Sequence, residues 1–132
     1  MGFDVSWLQE GRVILGQAHH DLSKDDLIQA DKQFIEMIQA KAPDAPMVHI
    51  LVDLREAAEL PVGVHEISRV LTHLREPDIG WSLIITDNKM IRFAGSIATQ
   101  LAQARFRAFT DFDEAYAFLV EQDQSLPQED AR

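Results

Sequence analysis

The sequence of 132 residues contains no cysteine, which excludes disulfide bonds, thiolate metal ligands and thiol catalysis. Its N-terminus lacks a signal-peptide pattern, and no apolar run approaches the roughly 18 residues that a membrane span requires. Basic residues are scarce: the chain has 12 Lys and Arg but 22 Asp and Glu, which gives it a formal charge of −10. This charge repels nucleic acids and anionic lipid surfaces. We therefore expect a cytoplasmic protein with no transmembrane segment and no nucleic-acid partner.

Residue types that bind metals or phosphates occur without the spacing that such sites need. Among five histidines, His65 and His73 are two helical turns apart, whereas two ligands on one helix are about four residues apart. His49 lies within a predicted strand and is most simply a hydrogen-bonded, semi-buried side chain. The six glycines are scattered and form no phosphate-binding loop. We predict no metal site and no cofactor.

Two apolar segments that end in acidic residues organise the predicted fold. Residues 47–55 read MVHILVDLR, a short run without clean alternation, which indicates a strand covered by helices on both faces. Residues 81–85 form a second such run, and Thr86, Asp87 and Asn88 follow it. Both runs place polar side chains at the C-terminal ends of neighbouring strands, where open α/β sheets bind their ligands.

The other segments complete the order ββαβαβαβα of an α/β domain with right-handed crossovers. Glu10 and Gly11 predict the turn of an N-terminal antiparallel hairpin, Ser23 begins a capping box, and Pro61 fits the first turn of a helix. The predicted elements are strands 5–8 and 12–18, a helix to about 41, strand 47–52, a helix from 61 to about 74, strand 81–85, helix 89–102, strand 106–109 and a last helix after 111.

The domain prediction follows from length and composition. A chain of this length buries a core of its own, so we assign residues 1–121 to one domain. Residues 122–132 read QDQSLPQEDAR, and their polarity predicts a flexible tail.

The element order, the strand that ends in Asp53, and the stretches WSLIITDN and RFRAFTDFDEAYAFL resemble the SpoIIAA-like family, which is related to STAS domains and to lipid-binding CRAL-TRIO modules. The resemblance covers residues 5–119. It implies a SpoIIAA/STAS-like mixed sheet and a non-enzymatic regulatory or protein-interaction module. STAS proteins of the anti-anti-sigma type have an Asp-Ser-Ser-Gly type motif after this strand, with a phosphorylated serine. Leu54 and Arg55 occupy the serine positions here, so we predict a module without the phosphoserine switch.

Polar side chains predicted at the C-terminal edge of the sheet form a candidate ligand or partner loop: Asp53, Arg55, Asp87, Asn88 and Arg92. In one interpretation, Arg55 and Arg92 hold an anion beside a helix N-terminus while the aspartates orient it. In the alternative, the Asp and Asn residues cap loops and helices, and the arginines pair with them.

The third predicted helix has few charges. From residue 90 to 104 the one charged side chain is Arg92, although 26% of the chain is charged. An ordinary surface helix opposes its apolar stripe with a charged face. Charge depletion characterises interface cores, and two-fold pairing is the commonest assembly. We therefore predict a homodimer interface, unless the chain's own tail covers the helix or the face is merely polar. Its small or uncharged residues are Gly95, Ser96, Thr99, Gln100 and Gln103.

Three functions are open to such a chain. The leading prediction is a non-enzymatic module that binds a protein partner, including a second copy. The CRAL-TRIO relationship suggests a carrier or sensor of a small apolar, lipid-like ligand, unless the cavity residues simply fill the core. An enzyme would depend on Asp53 with His19 or His20 as its acid–base pair, and we assign no catalytic residue. The residues that would line the cavity are Phe34, Ile38, Phe93 and Ile97.

Overall fold

The computed structural model describes residues 2–126, and these form five strands, four α-helices and one short 3₁₀ helix. The elements in chain order are β1 Phe3–Gln9, β2 Val13–Ala18, α1 Lys24–Gln39, β3 Val48–Asp53, α2 Val64–Val70, the 3₁₀ helix Thr72–Arg75, β4 Ile79–Ile85, α3 Lys89–Ala102, β5 Arg105–Phe109 and α4 Phe112–Gln122.

The five strands form one mixed sheet in the order β1-β2-β3-β4-β5. β1 pairs with β2 in antiparallel orientation, whereas β2 to β5 run parallel. Because each parallel strand is joined to its immediate neighbour by a crossover of the same hand, α1, α2 and α3 share one face of the sheet. α4 covers the opposite face, where Ala115 and Leu119 join Leu51 and Leu83 in one cluster. The predicted α/β class and the N-terminal hairpin are confirmed.

The central strand explains why residues 47–52 lack polar alternation. Successive side chains point to opposite faces of a strand, and both faces of β3 are covered by helices. Ile50 belongs to the cluster that contains Phe34 of α1, while Leu51 belongs to the cluster that contains Leu119 of α4. Both β3 residues are buried, so apolar side chains are favoured on both faces of this run, and the one polar residue within it, His49, is hydrogen-bonded through both ring nitrogens.

Local signals in the sequence give several element ends correctly. The Ser23 side chain accepts a hydrogen bond from the backbone of Asp26, and the Asp26 side chain accepts one from the backbone of Ser23, which completes the capping box. Gly11 has a φ of 73°, as the predicted turn requires. α3 spans residues 89–102 as predicted.

The second predicted helix is wrong in two respects. Pro61 lies outside it, because α2 begins at Val64 after Gly63. The helix also ends at Val70, and a separate 3₁₀ helix carries Leu74. The physical cause is Asp31 on α1, whose buried carboxylate accepts hydrogen bonds from the Thr72 hydroxyl at 2.6 Å and the His73 backbone at 2.8 Å. These bonds fix the start of the new turn from another helix.

The packed part of the chain extends beyond the predicted boundary at residue 121. The C-terminal residues of the described chain contact the domain, and Leu126 joins the cluster on the α4 face with 3% of its surface exposed. Asp123 accepts a hydrogen bond from Nε2 of His49 at 2.9 Å and lies 3.6 Å from the Arg12 guanidinium. The prediction of a flexible tail from residue 122 is therefore wrong for residues 122–126. Its remaining part, 127–132, lies outside the described residues.

Candidate functional site

The carboxyl ends of β3 and β4 meet at one edge of the sheet. Asp53 pairs in register with Ile85, so the loop that follows β3 lies beside the loop that contains Asp87. The guanidinium of Arg55 interacts electrostatically with three carboxylates, most strongly with that of Asp53, then with that of Asp111 and then with that of Asp87. Four of the acidic and basic side chains of this edge therefore form one electrostatic cluster.

Arg55 is already paired within this cluster. Its Nε and one Nη donate to the two carboxylate oxygens of Asp53 at 3.0 and 2.7 Å, and its backbone N–H donates to the same carboxylate at 3.0 Å. Burial by itself would raise the pKa of Asp53, but these bonds from Arg55 more than offset it and hold the pKa below its ordinary value. Because this bidentate pair already uses two nitrogens of the guanidinium, few of its N–H groups remain to bind an anion.

The other predicted loop residues belong to a different part of the surface. Asn88 accepts hydrogen bonds from the backbone of Met90 and Ile91 as the N-cap of α3, and its amide donates to the carbonyl of Ala58. Arg92 is exposed and lines a groove between α3 and β5. Among the described residues, the anion site of the first interpretation is thus not assembled, and the alternative interpretation of capping and pairing describes Asp53, Arg55 and Asn88.

His19 does not pair with Asp53. Its Nε2 lies 2.7 Å from the Asp4 carboxylate and its Nδ1 lies 3.3 Å from that of Glu56. The hydrogen bond with Asp4, followed by that with Glu56, raises the pKa of His19 above its ordinary value. His20 is exposed. Instead of an acid–base pair with Asp53, the His19 imidazole therefore forms a surface cluster with the carboxylates of Asp4 and Glu56.

The outer face of α3 differs from the predicted interface. Thr99 is buried at 5% exposure, and a Cβ added to Gly95 would lie 3.2 Å from Ile84 and Phe106 of the sheet. Ser96 is half-buried and Gln103 is exposed. Gly95 and Thr99 therefore face the protein's own sheet, which corrects their assignment to an interface.

Three large apolar side chains of α3 are exposed instead: Met90 at 68%, Phe93 at 54% and Leu101 at 61%. Together with half-buried Ile97 they recur at three- and four-residue intervals, so they lie along one side of the helix. We call these four residues the α3 stripe. Beside Met90, an open groove runs between α3 and the start of α2, lined by Leu60, Val62 and other residues. The spacing of these apolar residues can be read from the sequence, but the sequence does not show that their side chains face solvent.

Charge around α3 is opposite to that of the whole chain. Residues 88–110 contain no Asp or Glu, although the formal charge of the chain is −10. Lys89 and Arg92 lie in the first two turns of α3, with no basic residue in its last turn. Arg107 lies over the rings of Phe109 and Phe118, so it faces the α4 side of the sheet.

A cavity of about 90 Å³ lies between the helices α1 to α3 and the sheet. Phe34 lines it, whereas the other three predicted lining residues, Ile38, Phe93 and Ile97, do not. Ligand pockets usually measure about 300–1,000 Å³, so this space is far too small for a lipid chain. The polar side chains among its lining residues are Ser82, His73 and Thr99.

Within residues 2–126, no group of three His, Asp or Glu side chains is placed to share a metal ion. None of the helices in this part of the chain is long and apolar enough to span a membrane. Comparisons with protein-family models, with curated proteins and with solved structures find no match.

Proposed function

We propose that this protein is a non-enzymatic, STAS-like interaction module that binds a protein partner through the outer face of α3. The observation that carries the proposal is the α3 stripe, in which Met90, Phe93 and Leu101 are each more than half exposed. Surface apolar residues are ordinary when single, but a row on one helix marks a contact surface. The SpoIIAA-like resemblance rests on the order of elements, the strand that ends in Asp53 and two sequence stretches. It supports a role in protein binding and predicts no catalytic residue.

The exposed residues have the chemistry of an interface core. Aromatic side chains and methionine are enriched in such cores, and charged residues are depleted. Phe93 and Met90 supply the first feature, and the absence of acidic side chains from residues 88–110 supplies part of the second. Removing these apolar atoms from water on binding is favourable at about 25 cal/mol per Å².

The partner we propose is a second copy of the chain. Lys89 and Arg92 lie at the positive end of the α3 dipole, where cations are unfavourable. Two α3 helices packed antiparallel across a two-fold axis would bring these cations beside the negative C-terminal end of the partner's helix. The same pairing sets Met90 of one copy against Leu101 of the other. A two-fold contact therefore satisfies both the charges and the apolar stripe.

Molar mass in solution tests this proposal. We expect light scattering to give twice 14.9 kDa for the wild type at micromolar concentration. Phe93→Glu with Leu101→Glu places charge within the stripe and should give the monomer mass. Gln29→Glu with Gln33→Glu is the matched control, because both residues are exposed on α1 and the change in charge is the same. This control should remain dimeric.

Circular dichroism of all three proteins separates dissociation from unfolding. A monomeric wild type, or a folded stripe variant that keeps the dimer mass, would show that the α3 stripe does not join two copies. Equal dissociation of the α1 control would show that added charge alone is responsible.

A further inference from the structure

The cavity beneath the three helices contains an unsatisfied hydroxyl group. Ser82 lies in the middle of β4, pairs in register with Ile50 and Phe106, and is exposed by 6%. Its Oγ is buried and has no hydrogen-bond partner among the described residues. The neighbouring lining positions of the sheet are apolar, including Val52 and Ile84. A hydroxyl in this position is unfavourable unless something in the cavity bonds to it.

A second polar side chain lines the cavity from the opposite side. His73, at 4% exposure, projects from the 3₁₀ helix, and its Nδ1 lies 2.7 Å from Oδ1 of Asp31. Burial would raise the pKa of Asp31, but hydrogen bonds from His73 and Thr72 outweigh it and lower that pKa. An ionised carboxylate requires the proton on Nδ1, and no hydrogen bond joins Nε2 to any described residue.

Asp31 also holds the ring in place. Its two carboxylate oxygens bind the His73 backbone, the His73 ring and the Thr72 hydroxyl, and the ring of Phe34 lies 4.7 Å from that of His73. The imidazole is therefore fixed before any molecule enters the cavity. Preorganised polar groups in an apolar site are the usual basis of specific small-molecule binding.

We propose that this cavity is a binding site for a small neutral molecule with a compact apolar body and one hydrogen-bonding oxygen, such as a short branched alcohol. The volume of about 90 Å³ sets the size. A cavity of about 150 Å³ in another protein accommodates benzene, so this one accepts a smaller molecule of about five non-hydrogen atoms. The site is separate from the α3 stripe, and its occupancy does not depend on dimerisation.

The polar groups define the ligand class further. Ser82 can donate to or accept from the ligand oxygen, and the imidazole of His73 also lines the cavity. No Lys, Arg, Asp or Glu lines the cavity, so a charged ligand would lose its hydration without a partner of opposite charge. Ser82 and His73 form no hydrogen bond with each other, so the site has no nucleophile activated by a base.

Methyl carbon–proton NMR with 2-methylpropan-1-ol as the probe tests the site. In the wild type we expect saturable shifts of Ile84 and Ile91, which line the cavity, and none of Met90 on the surface. Xenon is the apolar comparison probe and should shift the same methyl groups.

Two variants separate the hydroxyl group from the space. Ser82→Ala should bind the alcohol about three- to tenfold more weakly, because one hydrogen bond is lost, and should bind xenon at least as well. Ala98→Leu fills the cavity and should abolish both responses, with its fold checked by circular dichroism. Absence of saturable shifts in the wild type would overturn the proposal. Unchanged alcohol affinity in Ser82→Ala would equally overturn it, and this variant is informative even if Ala98→Leu does not fold.

Discussion

The carboxyl edge of the sheet and the outer face of α3 differ in how far their side chains satisfy one another. At the edge, Arg55 forms a bidentate pair with Asp53, and Asn88 caps a helix. On α3, Phe93 and Leu101 leave more than half of their surface in water. Charges that are already paired gain little from a ligand, whereas exposed apolar surface gains free energy on leaving water. The carboxyl edge is therefore the poorer candidate for binding, although it contains more charged and polar side chains than the outer face of α3.

The largest expected effect is on association through α3. Phe93→Ala with Leu101→Ala removes the two apolar anchors, and truncating such anchors costs about 2 kcal/mol or more, so the dimer Kd should rise by about 30-fold or more. Sedimentation over a dilution series measures it. Because these side chains are exposed in the monomer, its unfolding free energy at low concentration should change by about 0.5 kcal/mol or less. A large loss of monomer stability would mean that the stripe belongs to the core.

The converse result is expected at the carboxyl edge. Asp53→Ala removes the acceptor of three hydrogen bonds from Arg55, and we expect a loss of about 1–2 kcal/mol in the free energy of unfolding by urea. The dimer mass should stay unchanged. Asp87→Ala is the control, because Asp87 is exposed and its influence on Arg55 ranks behind those of Asp53 and Asp111. A change in mass for Asp53→Ala would place the edge within the interface.

The same pair predicts a smaller, pH-dependent effect. The pKa of Asp53 in the folded protein lies below the ordinary value of 3.8, so its contribution is complete above that value and is lost as pH falls through the folded-state pKa. Urea unfolding from pH 5 downward should therefore show a weaker acid dependence in Arg55→Ala than in the wild type. Parallel curves for the two proteins would contradict the pairing.

The smallest effect is expected at His19, and its sign is opposite. The pKa of His19 is raised by the carboxylates of Asp4 and Glu56, so this stabilisation is complete below about 6.5, the ordinary value, and is lost as pH rises through the folded-state pKa. NMR titration of the ring should give the raised pKa, and Asp4→Asn should bring it down. An unchanged His19 pKa in Asp4→Asn would contradict the contact.

Much of the fold follows from local sequence signals. The α/β class, the opening hairpin and the bounds of α3 are as predicted, because periodicity and caps act over a few residues. The second helix is the exception. Its break is caused by Asp31, which is about 40 residues away along the chain, and no local pattern contains that information.

The candidate site was predictable only in part. Adjacent parallel strands bring Asp53 and the Asp87 loop to one edge, and this follows from topology. Whether Arg55 is available there depends on a hydrogen-bond geometry that the sequence does not contain. The hydrogen-bonded pair of buried His49 and half-buried Asp123 is a similar case, because its members lie in the central strand and beyond the last helix.

The sequence by itself determined the order of helices and strands, apart from the break in the second helix, as well as where the charges lie and that α3 has no acidic residue. These properties depend on neighbouring residues or on composition. The tertiary structure decided that Thr99 faces inward while Phe93 faces water, that Asp53 neutralises Arg55, and that the hydroxyl of Ser82 borders a cavity. Each of these depends on which distant side chains share a face of the sheet. When both faces of a helix carry apolar residues, periodicity alone does not show which face is buried.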